Sequence, residues 1–142
     1  MLKGIPGILS PELLKVLMEM GHSDEIVIAD RNFPSASHGK RLIRCDGHGI
    51  PELLTAVLQL YPLDSYVEQP IALMAVTPGD SVKPTIWEEF KKVINEKNGE
   101  PVNIEVMERF AFYERAKNAY AIVATGEKAL YANIILKKGI IS

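Results

Sequence analysis

His22 is the side chain in this sequence best suited to moving protons. It follows a stretch with one apolar helical face and precedes the apolar run Glu25-Ile26-Val27-Ile28-Ala29-Asp30. An imidazole titrates near neutrality and can give or take a proton at physiological pH. A His just past a helix end can equally do no more than make a favourable charge–dipole contact. Asp30 closes the apolar run. Ligands in α/β sheets bind beyond the carboxyl ends of strands, so a carboxylate there can hold one, or can simply start the turn into Asn32 and Pro34. Arg109 and Tyr113 are four apart on a helical stretch and share a face. They could present a cation and a phenol to a polar ligand, although an Arg stem beside an aromatic ring also serves to cover core. Tyr131 and Asn133 open the last strand-like run with a hydroxyl and an amide, groups that suit the hydroxyls of a polar ligand or an ordinary strand start.

Other polar residues carry less. His38 and His48 sit in Gly-flanked loops and read as solvent-exposed, with His38 at most a lid residue. Phe110 and Phe112 read as core. Cys45 reads as a small buried residue rather than a nucleophile. His22-Ser23-Asp24 offers two ligand types in a spacing that is weak for a metal site, and no metal is expected. Absence of G-x-G-x-x-G, of a Walker-type loop and of a G-x-S-x-G elbow implies chemistry without a nucleotide cofactor.

The elements that must hold these residues alternate between helix and strand. Ser10 caps a helix whose first position is Pro11, with Leu13, Leu14, Leu17 and Met20 on one face and a stop at Gly21. The run from Glu25 to Asp30 is a strand, Arg31 to Lys40 a polar loop, and Leu42 to Cys45 a short strand. Pro51 begins a second helix. Ile71 to Val76 is a buried strand, and Pro84 starts a helix in which Trp87, Phe90, Val93 and Ile94 keep helical spacing. Val102 to Met107 is a strand, Arg109 to Asn118 a helix, Tyr120 to Thr125 a strand and Tyr131 to Leu136 the last strand. With short connections and no repeat, the pattern predicts one three-layer α/β/α domain over residues 1–142, built on a mixed, mostly parallel sheet covered on both faces.

Composition narrows the function classes. The 142 residues suffice for one core, and 47% hydrophobic with 24% charged residues is a globular balance. Sixteen Lys and Arg against 18 Asp and Glu give a net charge of −2, without the cationic excess that phosphate neutralisation needs. No nucleic-acid or membrane partner is therefore expected. No apolar run is long enough to span a bilayer, and the first residues lack the apolar stretch of a secretory signal. A single cysteine cannot form an intramolecular disulfide, and a reduced, cytoplasmic setting is expected.

Leu9-Ser10-Pro11-Glu12-Leu13-Leu14, Met20-Gly21-His22-Ser23-Asp24-Glu25-Ile26-Val27 through Asp30, and Asn32-Phe33-Pro34 carry a resemblance that covers essentially the whole chain. It continues through Pro62-Leu63-Asp64-Ser65-Tyr66, Arg109-Phe110-Ala111-Phe112-Tyr113-Glu114-Arg115-Ala116, Ala124-Thr125-Gly126-Glu127 and Tyr131-Ala132-Asn133-Ile134-Ile135-Leu136-Lys137-Lys138-Gly139. In this order the segments resemble the family of fucose mutarotases and ribose pyranases. Arg109 stands where ribose pyranases typically carry His, which favours the fucose branch, while Ala132 stands where fucose mutarotases often have Gly. The resemblance implies an isomerase that interconverts the α and β anomers of L-fucose by acid/base ring opening and reclosure, with no cofactor. It implies that His22 is the general acid/base, that Asp64 is a second catalytic carboxylate, and that Asp30, Arg109, Tyr113, Tyr131 and Asn133 bind the monosaccharide. It also implies a homo-oligomer, a decameric ring with sites near subunit contacts. A ribose pyranase, a non-catalytic sugar-binding ring and a metal-dependent hydrolase using His22 and Asp24 are the competing readings.

Overall fold

The computed structural model describes residues 1–142. In chain order the elements are α1 (Pro11–Glu19), β1 (Glu25–Ala29), α2 (Ser35–His38), β2 (Leu42–Cys45), α3 (Ile50–Leu58), β3 (Ile71–Met74), α4 (Ile86–Asn98), β4 (Ile104–Met107), α5 (Arg109–Asn118), β5 (Ala121–Thr125) and β6 (Ile134–Lys137). Local chemistry sets the helix ends. Ser10 accepts the Leu13 N–H at 3.1 Å at the start of α1. Glu108 accepts the N–H groups of Phe110 and Ala111 at 2.9 and 3.0 Å, so α5 begins directly after β4. Gly99 closes α4 in the left-handed conformation, φ 80°, which costs a glycine little.

The six strands form one sheet in the order β2-β5-β1-β6-β3-β4. β1 pairs in parallel with β5, β5 with β2, and β3 with β4. β6 alone runs antiparallel, inserted between β1 and β3. The carboxyl ends of the five parallel strands therefore share one edge of the molecule with the start of β6. The sheet is mixed and mostly parallel, as expected.

Both faces are covered. One holds the larger core, in which Leu13 and Leu17 of α1, Leu53, Leu54 and Val57 of α3, and Phe90 and Ile94 of α4 meet Ile26, Ile28, Leu73 and Ile134 of the sheet. The other packs Phe112 and Ala116 of α5, with Phe33, on Val27, Ala29, Ala72, Ile122 and Ile135. Alternation along β1, whose Ile26 to Ala29 are all fully buried, feeds both layers. Arg115 ties α5 to the sheet through a two-pronged bond to Glu25, Nη2 to Oε2 at 2.6 Å, and a second bond to Glu105 at 3.0 Å.

Several expectations need correction. The loop from Arg31 to Lys40 contains the four-residue helix α2, too short to leave an apolar period in the sequence. Tyr131 to Asn133 precede the last strand rather than begin it, because Tyr131 adopts φ 57° and extended pairing starts only at Ile134. Phe110 is 63% exposed, not core. Connections are not uniformly short: residues 59–70 and 75–85 are long loops.

Phe112 is the largest side chain buried under α5. Phe112→Ala is expected to lower unfolding free energy by about 3–5 kcal/mol, measured by urea denaturation.

Candidate active site

Five of the residues expected to bind a ligand come together. Asp30 follows β1, Arg109 and Tyr113 lie one turn apart at the start of α5, and Tyr131 and Asn133 lead into β6. They line a pocket of about 250 Å³ at the carboxyl-end edge of the sheet, with Asn32, Phe33, Met74, Thr77, Asp80 and Leu130 completing its wall. That is where ligands bind in open α/β sheets. The pocket lies below the roughly 300–1,000 Å³ typical of drug-sized ligands, and its lining mixes acceptors, donors and apolar surface.

Its floor is cross-linked. The Asn133 carboxamide oxygen accepts the Asp30 backbone N–H at 2.8 Å, joining the end of β1 to the start of β6. Asp30 is 6% exposed, and its Oδ1 accepts the Asn32 N–H at 3.0 Å. Burial pushes the Asp30 carboxyl above its ordinary range, against the backbone N–H groups of Asn32, Ala132 and Phe33, which pull it down, and with the charge of Glu127, which adds to the rise. A carboxyl so placed holds a proton to higher pH than a surface aspartate.

The wall on the α5 side is aromatic. Arg109 donates from Nε to the Tyr113 hydroxyl at 3.3 Å, and its guanidinium lies 5.2 Å from the centre of the Phe110 ring. Tyr113 stands edge-on to Phe33 with centroids 5.2 Å apart. His38 packs against Phe33 and Tyr113 behind this wall rather than projecting freely from a loop. Across the pocket, the Tyr131 phenol donates to Asp80 at 2.5 Å and accepts from the Thr77 N–H at 3.3 Å. Its backbone carbonyl accepts the Trp87 indole N–H at 2.7 Å. These three bonds hold a non-glycine residue in the left-handed region, a conformation kept where surrounding contacts over-determine it.

His22 and Asp64 lie elsewhere. They are 42 residues apart in sequence, yet His22 Nε2 and Asp64 Oδ1 are 3.0 Å apart. The pair sits where β1 begins and β6 ends, while the pocket lies where β1 ends and β6 begins. β1 alone spans about 17 Å, so within one chain the pair does not reach the pocket. The Asp64 side chain is 1% exposed and that of His22 41%. Burial works upward on the Asp64 carboxyl, but hydrogen bonds from the Tyr66 N–H and His22, with the charges of His22 and Lys137, outweigh it and hold Asp64 below its ordinary range. An ionised carboxylate only accepts, so Nε2 is the nitrogen that donates to it, and in the neutral imidazole this leaves the Nδ1 lone pair free. Tyr66 stacks at a tilt over the imidazole, 5.2 Å between centroids. Asp24 turns instead onto the Gly21 N–H at 2.7 Å. Beside His22 lies an apolar groove of about 640 Å³, lined among others by Leu2, Ile5, Met18, Ile140 and Ile141.

Sequence reasoning missed Asp80 and Thr77. Their signal was Pro78-Gly79-Asp80, turn chemistry beyond the carboxyl end of β3, the same argument that singled out Asp30. Asn32 stood out only as a turn residue and within the segments of the resemblance, and nothing in the sequence marked Met74 or Leu130.

Fold and pocket together define an α/β protein that offers a small polar ligand a buried carboxyl, a guanidinium, two phenols and an amide. The chain belongs to the RbsD / FucU transport protein family, whose model matches residues 3–141. It is 51% identical over 140 residues to the L-fucose mutarotase of Actinobacillus pleuropneumoniae serotype 5b, covering 99% of this chain and 97% of that protein. It is 52% identical over 147 residues to the fucose mutarotase of Homo sapiens, covering 99% and 95%. The crystal structure of the fucose mutarotase from Streptococcus pneumoniae in complex with L-fucose superimposes with a TM-score of 0.91 at 55% identity, covering 99% of this chain and all of that one. No helix is long and apolar enough to cross a membrane.

Because the folded Asp30 carboxyl titrates above its unfolded value, ionising it opposes folding. That penalty is absent below the ordinary carboxylate range, grows as pH rises toward the folded value, and is complete above it. Asp30→Asn is therefore expected to be at least as stable as the parent at pH 7. The difference should shrink below about pH 4, the ordinary aspartate range, when urea midpoints are compared across pH.

Proposed function

We infer that the chain, acting over residues 1–142 as one mutarotase domain, interconverts the α and β anomers of L-fucose. The observation that carries this reading is the pocket itself, where Asp30, Arg109, Tyr113, Tyr131 and Asn133 converge in a chain half identical, end to end, to fucose mutarotases.

Mutarotation breaks the bond between the anomeric carbon and the ring oxygen. The anomeric hydroxyl loses a proton and the ring oxygen gains one. Rotation of the aldehyde exposes its other face, and reclosure reverses both transfers. His22 Nδ1, freed by the Asp64 bond on Nε2, serves as the base and then returns the proton. Asp64 orients the imidazole. Asp30, whose burial favours its protonated form, serves the second transfer. Arg109, Tyr113, Tyr131 and Asn133 hold sugar hydroxyls while the open chain turns. The reaction also proceeds unaided in water, so acid–base help worth roughly a hundredfold to ten-thousandfold suffices.

His22 lies at the far end of β1, and in this reading it enters the pocket of a second copy of the chain. The apolar groove beside His22 supports this, since patches of that kind mark association surfaces. The assembly is a homo-oligomer, a decameric ring in the family pattern, working in the cytoplasm, where the buried Cys45 stays reduced.

The test is NMR exchange between the two anomeric signals of L-fucose. Catalytic amounts of protein are expected to accelerate exchange, and His22→Ala to remove most of that acceleration. Acceleration that survives intact in His22→Ala would contradict the assigned base. Stronger catalysis of pyranose–furanose exchange in ribose would transfer the activity to the ribose branch.

A further inference from the structure

Asp80 lines the pocket on the 75–85 connection, in a turn opened by Gly79 at φ 90°. Both of its oxygens are engaged. Oδ1 accepts the Val82 N–H at 3.0 Å, and Oδ2 accepts the Tyr131 phenol at 2.5 Å, a charge-assisted distance. The phenol oxygen has one proton to give and two lone pairs to share. Its proton goes to Asp80, because a carboxylate cannot donate. One lone pair takes the Thr77 N–H. What remains on the phenol oxygen is a single acceptor position. The Trp87 bond to the Tyr131 carbonyl fixes the backbone beneath the ring, so the ring is anchored at both ends.

We propose that Asp80 is a positioning residue for substrate: by holding the Tyr131 proton it makes the phenol oxygen an acceptor only, which selects a sugar hydroxyl that donates at this point. This rests on the reading of the pocket as the L-fucose site. Without Asp80 the phenol can point its proton at the ligand, and the direction of the hydrogen bond is no longer dictated.

The experiment measures dissociation constants for L-fucose and for its 2-, 3- and 4-monodeoxy and monodeoxyfluoro analogues. The proteins are the parent, Asp80→Ala, Tyr131→Phe and the double variant, with urea midpoints confirming that each is folded. Asp80→Ala is expected to bind L-fucose about three- to tenfold more weakly, the range for one hydrogen bond, and to add nothing in the Tyr131→Phe background. The hydroxyl facing Tyr131 is the one whose deoxy penalty disappears in Tyr131→Phe. At that position fluorine, which accepts but cannot donate, should be rejected by the parent as strongly as hydrogen. In Asp80→Ala the fluoro analogue should regain several-fold over the deoxy one. Asp80→Ala that binds L-fucose as the parent does, or that loses as much with Tyr131→Phe as without it, overturns the proposal and reduces Asp80 to a loop latch. A parent protein that neither binds L-fucose nor speeds its anomer exchange would instead overturn the reading of the pocket.

Discussion

The reversed direction of β6 governs where everything else can sit. Five strands run one way, and a sixth parallel strand between β1 and β3 would have carried its end, not its start, to the pocket edge. Because β6 runs against its neighbours, the residues just before it meet those just after β1, β3 and β4. The bond from the Asp30 N–H to the Asn133 carboxamide is the local expression of that arrangement. At the other end of the same strand, Lys138 and Gly139 pack against residues 62–64, the Gly139 N–H donating to Pro62 at 2.8 Å. A Cβ on Gly139 would lie 2.5 Å from the Leu63 carbonyl oxygen, so only glycine allows this approach that seats Asp64 beside His22. One strand thus organises a pocket at its start and the hydrogen-bonded His22–Asp64 pair at its finish.

The two ends differ in electrostatic character. Asp30 and Asp64 are both buried aspartates, yet burial prevails at Asp30, whereas at Asp64 the Tyr66 and His22 hydrogen bonds and the charges of His22 and Lys137 together outweigh it. One is biased toward holding a proton and the other toward holding a charge. In the proposed reaction that contrast lets Asp30 serve a proton transfer while Asp64 keeps the charge that orients His22. Asp64 has the further effect of choosing the imidazole nitrogen, which a surface carboxylate of low occupancy could not do reliably.

Much of this was legible in the residues. Ser10-Pro11 announced α1, the Trp87, Phe90 and Ile94 spacing announced α4, and Asp30 at the end of an apolar run marked the edge of the sheet where the pocket lies. The misses have physical causes. α2 is a single turn and leaves no period. Tyr131 is held in the left-handed region by contacts from Trp87, Thr77 and Asp80, none of them close in sequence. The meeting of His22 with Asp64, and the separation of that pair from the pocket, follow from the direction of β6, which no local pattern encodes. Resemblance named His22 as the acid/base group, and the fold adds that it stands at the opposite end of its own strand.

The central claim, that the acid/base group and the pocket of one site come from two copies of the chain, is tested most directly by complementation. His22→Ala and Asp30→Ala are each inactive in this account, and co-expression assembles mixed oligomers. In a random mixture about one site in four combines an intact pocket from one variant with an intact His22 from the other, so L-fucose anomer exchange should return to roughly a quarter of the parent rate. Mixed oligomers that stay as inactive as either variant alone would contradict the account, and would require His22 to act within its own chain or not at all.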